Sequence, residues 1–100
     1  MIIGGIQGNE PGGYLSADLY ADFSPKKGNL IVVPRANFYS ILLFKRGANG
    51  DMNRKFGSDL KQDNDARIVA ILKELIAESD FLLNLHDGWG FYRPKYINKM

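Results

Sequence analysis

Gln7 and Glu10 stand three residues apart in "IIGGIQGNEPGG" (residues 2–13), a short apolar run that opens into a turn carrying five glycines. A lone histidine, His86, closes a second apolar run, "FLLNLHDG" (residues 81–88). An amide oxygen, a carboxylate and an imidazole together make a donor set for a divalent cation. The chain has no cysteine, which excludes thiolate sites, disulfides and thiol nucleophiles. Carboxylate oxygen and imidazole nitrogen are then the usual donors for Zn2+. A catalytic zinc site takes three protein ligands and keeps one position for water, and Gln7, Glu10 and His86 are three. Gln7 is the odd member, because an amide oxygen is a weaker donor than imidazole. The glycines let the backbone turn sharply enough for both loop residues to point inwards. Residue types alone leave a second reading open: a hydrogen-bonded structural histidine and a solvated polar loop.

Cationic side chains follow in "VVPRAN" and "KRGANGDMNRKF". Arg46, Arg54 and Lys55 read either as a solvated basic loop or as receptors for a carboxylate or phosphate. A guanidinium takes a carboxylate through two parallel hydrogen bonds, and Asn53 beside Arg54 adds a neutral donor. Arg35 fits either a second substrate carboxylate or solvent. Neither G-x-G-x-x-G nor G-x-x-x-x-G-K-[ST] occurs, so the glycine loop gives little support to nucleotide binding.

The elements that must hold these groups follow from periodicity. Residues 2–7 read as a buried strand. From Pro11 to about Phe23, the four-residue spacing of Leu15, Leu19 and Phe23 predicts a helix with those residues along its buried side. "LIVVP" (30–34) predicts a strand buried on both faces. "NFYSILLFK" (37–45) is open between a helix and an extended run, and "RGANGDMNRKFGSD" reads as loop. Asn64 to Ser79 is the strongest helix, with Ile68, Ile71, Leu72, Leu75 and Ile76 on one face and Asp63 or Asn64 as N-cap. Residues 81–88 give a last strand. The order β–α–β–loop–α–β predicts an α/β fold: a partial mixed, mostly parallel sheet flanked by helices. In such sheets ligands gather at the carboxyl ends of strands, where Gln7, Glu10, Arg35 and His86 all fall.

Bulk properties narrow the class further. One hundred residues allow one small domain, and 45% hydrophobic with 24% charged residues is an ordinary globular composition. A net charge of +2 is too small to imply a nucleic-acid partner. No segment approaches the roughly 18 apolar residues of a membrane span. Met1 runs straight into a strand-like segment, and "FYRPKYINKM" carries no terminating pattern. Both ends are thus expected to be cut from a longer product.

The ordered segments "GGIQGNEPGG", "VVPRAN", "KRGANGDMNRKF" and "LLNLHDG" resemble the funnelin-type zinc carboxypeptidases over nearly the whole chain. Glutamine in place of the usual first histidine is similar to one branch, the periplasmic peptidoglycan D,L-carboxypeptidases that set cell shape in helical bacteria. The resemblance implies that Gln7, Glu10 and His86 bind zinc and that Asn53 with Arg54 holds the substrate's terminal carboxylate. It implies that Arg46 polarises the scissile carbonyl and stabilises its oxyanion. Asp87, beside His86, reads as orienting a ligand or the backbone. The implied substrate is a muropeptide tripeptide, in the periplasm. The family's general-base glutamate lies late in the catalytic domain, and neither Glu74 nor Glu78 occupies its position. Residues 1–100 are therefore expected to be the N-terminal portion of such a domain, inactive alone and prone to self-association through exposed strand edges. A zinc acylase of the succinylglutamate desuccinylase and aspartoacylase type is the nearest alternative, although histidine would be ordinary there at position 7. A non-catalytic carboxylate-binding domain without metal is the other.

Overall fold

The computed structural model describes residues 1–57 and 63–88. The expected loop end at Ser58 and Asp59, and the segment 91–100, lie outside them. Three short strands, β1 (Ile2–Ile3), β2 (Val32–Val33) and β3 (Leu83–Asn84), form one sheet in the order β2-β1-β3. Both pairings are parallel, with Ile2 opposite Val32 and Leu83, and Ile3 opposite Val33 and Asn84. The α/β expectation holds, and every observed pairing is parallel. β1 is central and buried, as its apolar sequence requires. Its regular part is shorter than expected, although Ala36 and Asn37 go on donating to the carbonyls of Gly4 and Gly5 beyond it. β2 is half-buried because it lies at the edge of the described sheet, not in its interior.

The helices correct two periodicity arguments. Helix α1 (Pro11–Asp18) stops short of Phe23 and buries Gly13 and Ala17. The Leu15, Leu19 and Phe23 row faces outward, with Leu19 81% exposed. The reason lies in the strand: a Cβ on Gly4 would come within 2.6 Å of the Gly13 carbonyl oxygen and 2.7 Å of the Ala17 Cβ. The helix backbone lies too close to β1 for any large side chain between them. Residues 38–42 resolve as a helix, α2 (Phe38–Leu42), whose Asn37 cap accepts from the Ser40 N–H.

Helix α3 (Asn64–Ala77) starts at an Asp63 cap bonded to the Ala66 N–H at 2.9 Å. Its buried face centres on Ala66, Val69 and Leu72, flanked by Ile68 and Ile76, while Ile71 is exposed. Val69, at the middle of that face, lies outside the expected stripe. Ile3, Ile6, Ala36, Met52, Val69 and Leu72 form the core. Ile3 faces that core and Gly4 faces α1, so by strand alternation α1 and α3 cover opposite faces of the sheet.

Lys55 is not a solvated loop residue. Its Nζ donates to the Asn49 carbonyl at 2.5 Å, to Asp63 at 2.8 Å and to buried Asp65 at 2.9 Å, tying the 49–55 loop to the start of α3. Burial pushes the Lys55 amine down, but its bonds to Asp63 and Asp65 outweigh that and hold it above the ordinary lysine value. The Lys55 bond, with the Ala66 N–H, holds the Asp63 carboxyl below its ordinary value. The Asp63 contribution to stability is therefore complete above the ordinary carboxylate value and lost as pH falls through the lowered one. The Lys55 contribution is complete below the ordinary amine value and lost as pH rises through the raised one.

Two measurements check this construction. Gly4→Ala is expected to cost about 1–3 kcal/mol by overpacking against backbone, read as a lower denaturant midpoint; an unchanged midpoint would show that α1 can move away. In Lys55→Met, melting temperature should fall less steeply on acidification than in the unmodified chain, and parallel curves would disconnect Lys55 from Asp63.

Candidate metal centre

The turn after β1 and the chain leaving β3 meet at one end of the sheet. The parallel β1–β3 ladder, continued by Leu85 N–H to the Ile3 carbonyl at 2.8 Å, carries His86 up beside that turn. There His86 Nδ1 lies 3.2 Å from Gln7 Oε1 and 3.1 Å from Glu10 Oε1. Gln7 is 4% exposed and Glu10 8%. Glu10 Oε1 also accepts the Asp87 N–H at 2.8 Å.

Asp51 decides which way round the Gln7 amide lies. Gln7 Nε2 donates to both Asp51 oxygens, at 2.9 and 3.0 Å. A carboxylate accepts and does not donate, so the amide NH2 must face Asp51 and the carbonyl oxygen must face His86. Burial pushes the Asp51 carboxyl up, but the Gln7 bond, the Asn53 N–H and Arg46 outweigh it and hold it below its ordinary value. Asp51 is thus a carboxylate at neutral pH, as the lock requires.

Two oxygen acceptors thus face one imidazole nitrogen. A single imidazole N–H can serve at most one of the two oxygens well, whereas a cation satisfies all three lone pairs. Bonds of about 2.0–2.1 Å at tetrahedral angles separate neighbouring donors by about 3.3 Å, close to the 3.2 and 3.1 Å from His86 Nδ1 to the two oxygens. The residues present therefore fit a divalent cation. Among the described residues no three His, Cys, Asp or Glu gather; the set reaches three only because an amide oxygen counts.

Arg46 faces the same centre. Its Nη2 and Nε lie 3.2 and 3.3 Å from Asp51 Oδ2, and its Nη1 lies 3.7 Å from Glu10 Oε2, with the side chain 54% exposed. A cavity of about 430 Å³ is lined by Asn9, Glu10, Arg46, Asp87 and Gly88. Arg54 is 82% exposed, its Nε 3.9 Å from Asp51. Asn53 is exposed beside it and donates its backbone N–H to Asp51 at 3.0 Å. Arg35 is engaged elsewhere, donating to Asp18 at 2.8 Å near the end of α1. Glu78 lines a hollow with Met1 and Phe81, at the opposite ends of the strands.

The structure thus gathers Gln7, Glu10, His86 and Arg46, with Asn53 and Arg54 one residue layer away across Asp51. Sequence reasoning passed over Asp51 as an orienting residue. Its signal was available: a buried amide ligand needs an acceptor-only partner, and Asp51 is the acid nearest the expected Asn53–Arg54 clamp.

The whole chain, residues 1–100, matches the family Peptidase_M99, described as the catalytic region of the carboxypeptidase controlling helical cell shape. Solved structures it resembles include the product-bound cell shape determinant Csd4 of Helicobacter pylori, 45% identical with a TM-score of 0.84. That match covers 93% of this chain and 23% of the Csd4 chain. The mDAP-bound form of H. pylori Csd4, a D,L-carboxypeptidase, is 43% identical with a TM-score of 0.85 over 96% of this chain and 24% of that one. A glutamine-to-histidine variant of H. pylori Csd4 is similar at 43% identity and a TM-score of 0.83, over 93% and 23% of the two chains. The chain thus spans about a quarter of the relatives it matches. Comparison with curated protein sequences gives no match.

Removing the amide lock should be measurable. Asp51→Ala is expected to weaken divalent-cation binding about 10- to 100-fold, as loss of a partner behind a ligand ordinarily does. Titration against a competing chromogenic chelator reads this directly, and unchanged affinity would free Gln7 from dependence on Asp51.

Proposed function

The chain belongs to the Peptidase_M99 family of carboxypeptidases controlling helical cell shape, and on that premise we propose that it is the metal- and carboxylate-binding portion of a zinc-dependent D,L-carboxypeptidase. The substrate would be a peptidoglycan tripeptide whose terminal residue is removed, in the periplasm. One observation carries the zinc reading: Gln7 Oε1 and Glu10 Oε1 converge on His86 Nδ1 at 3.2 and 3.1 Å, with the amide turned inward by Asp51. The substrate class rests on the family and on the mDAP- and tripeptide-bound forms of the H. pylori relative.

Gln7, Glu10 and His86 would hold the ion, which when bound supplies Lewis-acid activation of water and of the scissile carbonyl. The remaining work falls to the chain's own side chains. Arg46 reaches the cavity beside Glu10 and offers N–H donors to an oxygen that gains negative charge. Arg54, exposed at the rim with Asn53, would hold the free carboxylate of the departing residue by paired hydrogen bonds. That clamp sets which end of a peptide enters. Gln7 and His86 bind as neutral groups, so Glu10 alone offsets the charge of the ion and the centre stays cationic.

Among the described residues no glutamate besides Glu10 lies at this centre. A carboxylate-binding domain without metal is less well supported, because it gives no role to the Gln7 and Glu10 oxygens that converge on His86. Exposed Leu19, Leu42, Phe44 and Phe81 support association with further polypeptide or with a second copy, which sedimentation would detect.

Zinc titration tests the site. Gln7→Ala should lose binding, whereas Gln7→His should keep or tighten it, since imidazole is the stronger neutral donor. Equal affinity in all three proteins would remove Gln7 from the metal. Incubated with muropeptide tripeptide and zinc, the 100 residues alone should show little or no turnover; clear release of the terminal residue would assign the proton carrier to this chain after all.

A further inference from the structure

Glu10 occupies the N-cap position of α1 yet makes no capping bond with its side chain. The first turn of a helix leaves N–H groups without intrahelical partners, and an N-cap carboxylate ordinarily takes one. Here the Glu10 carboxylate is turned away, towards His86 Nδ1 and the Asp87 N–H. The orphaned donor is taken from the far end of the chain: the Gly12 N–H donates to Asp87 Oδ2 at 2.9 Å.

Two reciprocal bonds result, across sequence separations of 77 and 75 residues. Asp87 gives its N–H to the Glu10 carboxylate and receives the Gly12 N–H on its own. Glycine at position 12 is what leaves room, because a Cβ there would fall on Asp87 Oδ1.

We propose that Asp87 is a positioning residue, a cap supplied in place of Glu10's own, whose clasp on Gly12 releases the Glu10 carboxylate for the metal and fixes His86 beside it. This rests on the reading that Gln7, Glu10 and His86 hold zinc. The clasp joins the residue after one ligand to the helix that begins at the other. It sets the separation of two donors that come from opposite ends of the chain.

Zinc affinity of four variants, by chelator competition, tests the clasp against a general loss of structure. Asp87→Ala keeps the backbone bond to Glu10 but loses the cap, and should bind zinc about 10-fold more weakly or worse. Asp87→Asn retains an oxygen able to accept from Gly12 and should stay within about 3-fold of the unmodified chain. Gly12→Ala should resemble Asp87→Ala. Arg35→Ala removes a bond near the other end of α1 and should change the unfolding midpoint without changing affinity. Unaltered affinity in Asp87→Ala, or an Asp87→Asn as weak as Asp87→Ala, would overturn the proposal. Hydrogen exchange in the unmodified chain needs no variant to fold: the Gly12 amide should exchange at least about 10-fold more slowly than an unprotected glycine amide, since its donor is engaged. Free exchange there also overturns the clasp. If the unmodified chain bound no zinc, the metal reading would fall, and Gly12 exchange would still decide the clasp.

Discussion

The pairing of β1 with β3 is the constraint on which the centre depends. Two segments some eighty residues apart in sequence lie side by side in parallel, Leu83 N–H on the Met1 carbonyl at 2.9 Å and Leu85 N–H on that of Ile3 at 2.8 Å. Side chains alternate faces along a strand, so a slip of one residue would turn His86 away from Gln7 and Glu10. The register is held from both sides of the sheet. Ile3 is locked into the core against Val69 and Leu72, and Gly4 admits the backbone of α1 on the other face. Packing that looks purely structural therefore fixes the distance between an imidazole and a carboxylate.

An amide at position 7 needs more from its surroundings than an imidazole would. Imidazole presents a nitrogen on either side, whereas a glutamine turned over presents N–H groups that cannot ligate. The acceptor-only character of Asp51 removes that ambiguity. Asp51 also bonds Arg46, so one carboxylate orients a proposed metal ligand and the arginine next to it. Most of the loop's charges thus have partners: Lys55 is spent on α3 and Arg46 and Asp51 on each other, while Arg54 stands clear at the rim.

The α/β order, the strand ends and the residues of the centre were legible because they are local: apolar runs, glycine turns and the polar groups that follow them. Legibility failed where a choice depended on what lay opposite. The Leu15, Leu19 and Phe23 spacing is helical in period, yet the small residues Gly13 and Ala17 are the ones packed at Gly4, so the row faces outward. Val69 takes the centre of α3's buried face because that face meets Ile3, Ile6 and Met52, a choice that depends on the sheet and loop opposite and that no periodicity records. "LIVVP" reads as doubly buried, but burial of a strand depends on its neighbours, and β2 has one described partner. Asp51 is an ordinary acid in sequence, and for Asp87 the sequence offers an orienting role without its partners. Their roles come from the partners that folding brings to them.

Arg46 illustrates how such a centre keeps a cation both held and available. Its contacts with Asp51 and Glu10, at 3.2 to 3.7 Å, involve a side chain that is 54% exposed. Partly solvated ion pairs of this kind contribute about 0–1 kcal/mol each, so the guanidinium can exchange a carboxylate for another anionic oxygen at little cost. An oxygen gaining negative charge beside Glu10 would then compete with Asp51 for the Arg46 N–H donors. Had Arg46 been held against Asp51 as closely as Lys55, 18% exposed, is against buried Asp65, leaving that carboxylate uncompensated would cost more. The difference in exposure between the two cations separates one that ties loop to helix from one free to change partners during the proposed reaction.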